Sequence, residues 1–491
     1  MGMKAIILSD IHIGDNSNTC WYQKQYHEQY LLKAFEYIQA NAASINEVIL
    51  LGDVFDFWTY PCARSPPAFA DIVNANPNVL GQNGMLKQLA DQVPVTYING
   101  NHDMNIGPAD IAQLGNIRFN PGLRYVKETP GGRVLLTHGS EYTIFNAQDP
   151  TTSLAPLPAG HFVTRAISEY LVQSKLTPGQ TVADLPGDGI PGFPDLWQNI
   201  LNALLHGQSI AQVMIDMFCT LPGVSRDTPV TLLNGQTLTF AQAETIYGNL
   251  GTQWIQKYGL NPTIKSANAD YNGDYIAWWA QRDCLQPAID ADMAILGHTH
   301  TAKGGLAEAM IGYINTGYMC PAMPGGTPEK PITFGEIDLD SGQLSLLATS
   351  GPDQPYVPTS FPNDTLVYSP FSDFSCFISI LNGTYFDMNL TNQTADQGWY
   401  VVPPPAKIGA MQRSRFWLQD SAGIHGSQGS ATYVNAQGGN QTVFTYTCPT
   451  GIYSNNCNPP PFRNKSDSGA WQNNTVVKGG HPYFVDFTAE K

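Results

Sequence analysis

Short apolar runs that end abruptly in polar, glycine-containing turns constrain this chain more than any other feature of its sequence. The runs are Ala5–Leu8, Val48–Leu51, Val95–Ile98, Val134–Leu136, Met293–Leu296 and Ile311–Asn315. Between the first two, Leu31, Phe35 and Ile38 recur at helical spacing. Strands and helices therefore alternate, and this alternation predicts a layered α/β core.

Two further regions follow different patterns. Residues 146–289 combine Pro-rich loops with helical stretches such as Ile210–Phe218. We interpret them as a helical insertion that caps the core, and helices that merely cover the sheet are the simpler alternative. Beyond a linker at 351–355, short alternating strands such as Val443–Cys448 predict an all-β sandwich. The predicted domains are therefore 1–350 and 351–491.

Composition excludes some functions and leaves others open. The net charge is −16, and the sequence has no basic stripe for a nucleic-acid backbone. No apolar run is long enough to cross a bilayer, and the N-terminus lacks a signal-peptide pattern. We expect a cytoplasmic protein, with peripheral membrane attachment as an alternative; a removed leader would leave no trace, so secretion stays open. The oligomeric state also stays open.

Each of five runs leads directly into a motif rich in carboxylates and imidazoles. The motifs are Asp10-Ile11-His12, Gly52-Asp53-Val54-Phe55-Asp56, Gly100-Asn101-His102-Asp103, His138-Gly139 and Gly297-His298-Thr299-His300. Ligands of open α/β sheets gather at the carboxyl ends of the strands, so we expect these motifs to converge. Carboxylate, imidazole and amide oxygen donors suit Mn, Fe, Zn or similar ions. Asp53 is the natural carboxylate to bridge two of them.

The five motifs together resemble those of the calcineurin-like metallophosphoesterases, over roughly residues 3–145 and 290–345. The resemblance implies an αββα sandwich with a two-metal site and hydrolysis by metal-activated water. It assigns Asp10, His12, Asp53 and His300 to one metal, and Asp53, Asn101, His138 and His298 to the other. It makes His102 the acid near the leaving group and Asp56 the carboxylate that orients it. Manganese is the first expectation, with Fe, Zn or Ni as alternatives.

Within the family, the stretch Leu51–Trp58 is similar to the UDP-diacylglucosamine pyrophosphohydrolase group. That group has Arg where this chain has His102, which leaves the substrate open. Inside the insertion, His161 and Arg165 lie one helical turn apart. One hypothesis is that both side chains point toward the site and bind a phosphate or head group. The alternative is that both side chains only pack inside the protein.

The C-terminal region contains a Gly- and Ser-rich stretch, Phe416–Ser430, followed by Thr447–Gly451. Together they resemble the aegerolysin-type β-sandwich, which implies contact with membrane lipid. A sandwich that packs on the catalytic domain or mediates oligomers is the alternative. Seven Asn-x-Ser/Thr triplets also occur here, and we interpret them as compositional; they begin at Asn363, Asn382, Asn389, Asn392, Asn440, Asn464 and Asn473.

The sequence therefore predicts a dinuclear-metal hydrolase of phosphomonoesters or phosphodiesters, with a lipid-linked or membrane-proximal substrate as its more specific form. The alternative function is a lipid- or carbohydrate-binding module on a phosphoesterase scaffold of little activity. Every position of the five motifs carries a residue that can bind metal or take part in catalysis, whereas inactive scaffolds usually lose such ligands. This favours the hypothesis of an active enzyme.

Overall fold

The structure is a computed structural model that describes residues 2–269, 273–307, 309–366, 373–421, 424–437, 441–451, 453–458, 471–473 and 481–489. Asn440, Asn464 and residues 422–423 of the Gly- and Ser-rich stretch lie outside the described residues. The chain forms two compact units, which are Met1–Trp279 with Asp292–Ala307 and Gly312–Asp364, and Ala280–Ala291 with Glu308–Ile311 and Thr365–Lys491. Among the described helices, none is both long and apolar enough to cross a membrane.

Two β-sheets form the centre of the first unit. Its strands are β1 Lys4–Leu8, β2 Ile45–Leu51, β3 Val95–Ile98, β4 Ile117–Phe119, β5 Arg124–Thr129, β6 Gly132–Thr137, β7 Pro229–Thr231, β8 Thr237–Thr239, β9 Met293–Leu296, β10 Leu306–Ala307, β11 Gly312–Asn315, β12 Ile332–Asp338, β13 Leu344–Thr349 and β14 Val357–Thr359. The larger sheet has the order β14-β13-β12-β1-β2-β3-β4, and the smaller has the order β11-β9-β6-β5. The pairs β1–β2, β2–β3, β6–β9 and β9–β11 are parallel.

The two sheets pack face to face. Ile7 and Leu51 of the larger sheet share a buried cluster with Leu136 and Ile295 of the smaller one. Strands buried on both faces have no polar side, which explains why their sequences are continuous apolar runs rather than alternating ones.

Helices cover the sheets and fill the insertion. They are α1 Lys24–Ala40, α2 Phe69–Ala75, α3 Pro77–Leu80, α4 Met85–Ala90, α5 Pro108–Ile111, α6 Gly160–Ser174, α7 Leu196–Leu205, α8 Ile210–Phe218, α9 Phe240–Ile246, α10 Leu250–Tyr258, α11 Leu260–Asn268 and α12 Gly273–Cys284. Leu31, Phe35 and Ile38 of α1 are buried against Ile6 and Leu8, as their spacing predicted. The predicted α/β fold is confirmed.

Helices α6–α11 carry a second apolar core of the first unit. Phe162 of α6, Ile200 of α7 and Met214 and Phe218 of α8 are all buried within it. Because these helices bury their apolar faces against one another, the insertion does more than cover the sheet.

The chain leaves the first unit later than the predicted linker at 351–355. Strand β14 pairs antiparallel with β13 through Leu346–Thr359 and Ala348–Val357, so it completes the larger sheet. The domain boundary at 350/351 stays a prediction, and this pairing favours a boundary near Asp364.

Two five-stranded sheets make up most of the second unit. The strands from Asp364 onward are β15 Asp364–Thr365, β16 Cys376–Leu381, β17 Met388–Gln397, β18 Trp399–Val402, β19 Lys407–Ile408, β20 Arg413–Gln419, β21 Ser427–Asn435, β22 Gln441–Cys448, β23 Asn456–Asn458, β24 Trp471–Asn473 and β25 Tyr483–Ala489. The sheet orders are β18-β20-β16-β25-β24 and β19-β17-β21-β22-β23. Phe444 of β22 contacts Phe487 of β25 at a ring distance of 4.9 Å, which joins the inner faces. The all-β prediction is confirmed.

Candidate metal centre and active site

The predicted ligands converge where the parallel strands of both sheets end. Asp10 and His12 follow β1, Asp53 follows β2, and Asn101 follows β3. From the smaller sheet, His138 follows β6, while His298 and His300 follow β9. Parallel strands present their carboxyl ends at one edge, so residues separated by up to 290 positions meet there.

Three side chains form the first donor group. Nε2 of His12 lies 3.0 Å from Nε2 of His300, and the same atom of His300 lies 3.4 Å from Oδ1 of Asp10. Two ligands held about 2.1 Å from one ion, at angles of about 90–110°, are separated by about 3.0–3.4 Å. The observed separations therefore match ligands of a single ion.

Asp53 joins this group to a second one. Its Oδ2 lies 3.8 Å from Nε2 of His12 and 3.1 Å from Nε2 of His138. Donor atoms of Asp53, His138 and His298 all lie within 4.8 Å of one another. One carboxylate thus faces both groups, which is the arrangement required to bridge two cations.

Unpaired buried atoms provide an independent test of whether these residues fit metal ions. Oδ1 of Asn101 is buried and has no hydrogen-bond partner among the described residues, and the buried Nε2 of His138 has none apart from its 3.1 Å approach to Oδ2 of Asp53. Buried polar atoms are nearly always paired, because losing water without a replacement costs free energy. Both atoms are electron-pair donors beside Asp53, so divalent metal ions would satisfy them.

The backbone at the site is strained. Asp10, His12, Asp53, His298 and His300 all have positive φ, between 51° and 70°. This conformation costs of order 1–3 kcal/mol for each residue with a side chain, and it persists where function requires it. Five of the seven predicted ligands therefore have a strained backbone, which is typical of a functional site.

Motif glycines allow the ligand loops to approach one another. Gly52 has φ of 82°, and a β-carbon there would lie 2.6 Å from the ring of His138. A β-carbon at Gly100 would collide with Asp53, and one at Gly297 would collide with Asp10. The glycines of the motifs are therefore required by contacts between different loops.

Gly52→Ala should both destabilise the protein and weaken metal binding, because the new methyl group displaces His138. The matched control is Gly235→Ala, since Gly235 has φ of 79° and a methyl group added there would meet nothing within 4 Å. The control should lose only the backbone cost of about 1–2 kcal/mol. Thermal unfolding with and without Mn²⁺ measures both effects, and equal losses in the two variants would contradict this account.

Hydrogen bonds behind the site select which imidazole nitrogen faces the other candidate donors. Nδ1 of His138 lies 3.0 Å from the Leu51 carbonyl oxygen, to which it donates. Nδ1 of His12 similarly donates to Oδ2 of Asp56 at 3.2 Å. Because the proton is held on Nδ1, each Nε2 presents its lone pair to the site.

Asp56 also orients His102. Its Oδ1 lies 3.1 Å from Nδ1 of His102 and accepts the backbone N–H groups of Trp58 and Thr59. The ring of Trp58 lies 4.5 Å from that of His102 at an angle of 30°. Burial alone would lower the pKa of His102, but the carboxylates of Asp56 and Asp53 outweigh it and raise that pKa.

Several residues that frame the site carried no motif in the sequence. The ring of Trp21 lies 4.6 Å from that of His12 and 5.0 Å from that of His102. Tyr318 stacks on His300 at 4.0 Å. A lone aromatic residue in a loop has no sequence signal, because only its spatial neighbours give it a role.

Asp103 lies in the third motif but was not among the predicted site residues. Its Oδ2 accepts the N–H of Val54 at 2.8 Å, and its Oδ1 accepts that of Gly100 at 2.7 Å. It therefore fastens the loop after β2 to the loop after β3.

The hypothesis that Arg165 holds a phosphate is wrong. Its guanidinium donates to the backbone carbonyls of Tyr60, Pro61 and Thr231 at 2.7–2.8 Å, so its hydrogen-bonding capacity is used in packing. His161 is buried edge-on against Trp58 at 5.5 Å, and it is not among the described residues that line the cavity at the metal centre.

A cavity of about 870 Å³ opens from the metal centre toward the insertion. Its lining includes Asp53, Asn101, His102 and His300 at one end, and side chains of α6, α7 and α8 at the other. This volume lies toward the upper end of the roughly 300–1,000 Å³ typical of small-molecule sites.

Comparison with known proteins supports the resemblance inferred from the motifs. The family model "Calcineurin-like phosphoesterase" matches residues 3–169. UDP-2,3-diacylglucosamine hydrolase of Bordetella pertussis is 29% identical over 152 residues, which are 30% of this chain and 54% of that protein. The same enzyme of Bordetella bronchiseptica matches equally. This chain thus spans about half the length of these relatives, and the predicted family likeness is confirmed.

Two solved structures show weaker likeness. A dimetal phosphatase from Danio rerio has 11% identity and a TM-score of 0.29, covering 75% of this chain and 99% of that one. The lipid binding protein Nakanori has 12% identity and a TM-score of 0.19, covering 24% of this chain and 71% of that one. Scores this low do not establish a common fold.

Proposed function

We propose, from the match of residues 3–169 to the calcineurin-like phosphoesterases, that this chain is a metal-dependent hydrolase of phosphoric esters. The observation that carries the proposal is the convergence of six carboxylate and imidazole donors in two groups. Asn101 lines the same cavity as Asp53 and has a buried Oδ1 with no hydrogen-bond partner among the described residues. Asp10, His12, Asp53 and His300 would hold one divalent ion, and Asp53, Asn101, His138 and His298 the other.

The bound ions, Asp53 and His102 have separate roles in the proposed hydrolysis. Two bound divalent ions supply positive charge that activates water and offsets the charge that develops on the phosphoryl oxygens. Asp53 lies between the two donor groups. Oδ1 of Asp53 accepts the backbone N–H of His102 at 2.8 Å, which fixes the orientation of the carboxylate. The side chain of His102, held by Asp56, donates a proton to the leaving oxygen.

We further propose that the substrate is lipid-linked or membrane-proximal. The relatives are named for hydrolysis of UDP-2,3-diacylglucosamine, a diacylated sugar nucleotide. The apolar end of the cavity supports a substrate of mixed polarity. Relative rates on phosphomonoesters and phosphodiesters decide between these two classes of ester.

A substrate screen tests the proposal. The full chain, freed of metal and reloaded with Mn²⁺, Zn²⁺, Fe²⁺ or Ni²⁺, is assayed on 4-nitrophenyl phosphate, bis(4-nitrophenyl) phosphate and a UDP-linked diacyl sugar. Release of product only in the presence of metal is expected. If two ions bind with full occupancy and no ester is hydrolysed, the alternative of a binding module on an inactive scaffold holds.

For the second unit we propose contact with membrane lipid. Ser427 pairs with Cys448, so the loops before β21 and after β22 lie at the same end of the sheet. Ile424 and Tyr453 in these loops are 80% and 72% exposed. Large apolar side chains exposed together at one end are typical of an interaction surface.

Liposome sedimentation tests this contact. The double variant Ile424→Asp/Tyr453→Asp should lose binding, whereas Val357→Asp, which changes an exposed apolar residue of the first unit, should retain it. Failure of the unaltered protein to sediment with both anionic and neutral vesicles would overturn the proposal.

A further inference from the structure

Two tryptophan rings lie closer to parallel than to perpendicular against the imidazole of His102. The ring of Trp58 lies 4.5 Å from it at an interplanar angle of 30°, and the ring of Trp21 lies 5.0 Å from it at 39°. Nδ1 of the same imidazole lies 3.1 Å from Oδ1 of Asp56, so Nε2 is the nitrogen left to face a leaving group. A single hydrogen bond at the ring edge lets the imidazole rock out of its plane, whereas aromatic rings against its faces restrict that motion.

The position of Trp58 is fixed by the same carboxylate that holds His102. Trp58 is 2% exposed, and its backbone N–H donates to Oδ1 of Asp56 at 2.8 Å. The ring of His161 packs edge-on against the indole at 5.5 Å. A shift of Trp58 away from His102 would therefore break a buried hydrogen bond, which is unfavourable.

The loop that carries Trp21 is fastened to the loop that carries Trp58. Oγ1 of Thr19, which is 1% exposed, donates to the carbonyl oxygen of Thr59 at 2.6 Å. The side chain of Gln23 closes the first loop by donating to two of its backbone carbonyls at 2.7 Å each. The two tryptophans are thus held relative to each other by contacts that do not involve His102.

We propose that Trp21 and Trp58 are positioning residues that form an aromatic clamp and hold the imidazole of His102 in one plane, with Nε2 directed at the leaving group. The inference rests on the proposed function and adds a requirement to it, because proton donation then depends on the clamp as well as on Asp56. Trp21 lies outside the five motifs, so half of the clamp has no counterpart in them. An aromatic contact of this geometry shifts an equilibrium by about 2- to 10-fold.

Kinetics of Trp21→Leu test the clamp in the full chain loaded with Mn²⁺. For an alkyl ester of the class that the protein hydrolyses, kcat should fall by about tenfold, because the acid is oriented less firmly. KM and the content of bound metal should stay unchanged. The matching 4-nitrophenyl ester needs little help from an acid, so its kcat should fall by less than about twofold. Trp21→Phe keeps a flat ring and should recover most of the loss.

A matched variant and a double variant separate positioning from a structural role. Trp254 is also partly buried, and its ring contacts those of Tyr258 and Trp279, so Trp254→Leu should leave both rates intact. In the His102→Ala background, Trp21→Leu should cause no further loss. Equal losses on both esters, a further loss in that background, or loss of metal from Trp21→Leu would overturn the clamp.

Nuclear magnetic resonance tests the ring contacts without turnover. The full chain is loaded with Zn²⁺ and labelled with ¹³C in its histidine rings, and the signal lost in His102→Ala identifies His102. The indole faces should shield its ring protons and place them upfield of those of the exposed His206. The signal should move downfield in Trp21→Leu and stay in place in Trp254→Leu. A signal that does not move in Trp21→Leu would overturn the clamp.

The two measurements fail in different ways. If the unaltered protein hydrolyses no ester, the proposed function is overturned, and the shift of the His102 signal alone decides whether the clamp holds this ring. If Trp21→Leu does not fold, Thr19→Val replaces it, since this variant removes only the hydrogen bond between the two loops. The His102 signal should then move in the same direction, and an unchanged signal would again overturn the clamp.

Discussion

Asp53→Asn should reduce the bound divalent metal from two ions to one or fewer and lower kcat/KM by more than about 100-fold. Loss of a residue that only orients a ligand typically costs about 10–100-fold in metal affinity or activity. Loss of the Asp53 carboxylate is expected to lower metal affinity and activity further, because its Oδ2 faces both His12 and His138. The same carboxylate carries the negative charge that would offset two cations. The amide of asparagine is nearly identical in size but neutral.

Metal analysis and thermal unfolding together measure this effect. Mn²⁺ should raise the melting temperature of the unaltered protein, since a ligand that binds only the folded state stabilises it. This increase should largely disappear in Asp53→Asn. The matched control is Asp91→Asn, which changes an exposed carboxylate at the C-terminal end of α4. This variant should behave like the unaltered protein. Two fully occupied sites with unchanged turnover in Asp53→Asn would contradict the bridging role.

His102→Ala should keep both metal ions and slow hydrolysis by about 10²–10⁴-fold for esters with poor leaving groups. Nδ1 of its ring is held by Asp56, and its backbone N–H binds Asp53. The backbone contact survives in the alanine variant, so the metal donors should stay in place. Esters with a 4-nitrophenol leaving group need little help from an acid and should be affected least.

Comparison of 4-nitrophenyl and alkyl esters measures this selectivity. Asp56→Asn provides a second comparison with His102→Ala. This variant would orient both His102 and His12 less firmly, so it should lower metal affinity as well as the rate of hydrolysis. An equal loss by His102→Ala on good and poor leaving groups would argue against proton donation. Loss of metal in that variant would instead make His102 a ligand.

Local sequence determined the elements on which the site depends. The run Val95–Ile98 is a strand with the predicted bounds, and Ile210–Phe218 is a helix with the predicted bounds. Such runs are reliable because strands buried on both faces must be continuously apolar, and a helix packed on one side repeats its apolar residues at 3.6-residue intervals. The same regularity placed every candidate ligand at the end of a strand.

Contacts between distant loops could not be inferred in this way. The guanidinium of Arg165 is chemically suited to bind phosphate. Its carbonyl partners at Tyr60 and Thr231 are about 105 and 66 residues away in the sequence, so only the folded structure reveals them. The contribution of β14 to the larger sheet was missed because three exposed residues, Val357–Thr359, have little apolar pattern. Trp21 was missed because it lies in a loop.

The sequence by itself determined the types of donor, their order and their positions at strand ends, because hydrophobic periodicity and motif chemistry are local properties. Tertiary structure alone decided which imidazole nitrogens face inward, how Asp53 lies between two donor groups, and that an apolar cavity adjoins them. These depend on distances between segments as remote as Asp10 and His300, and such distances are set by sheet packing and not by neighbours in the chain.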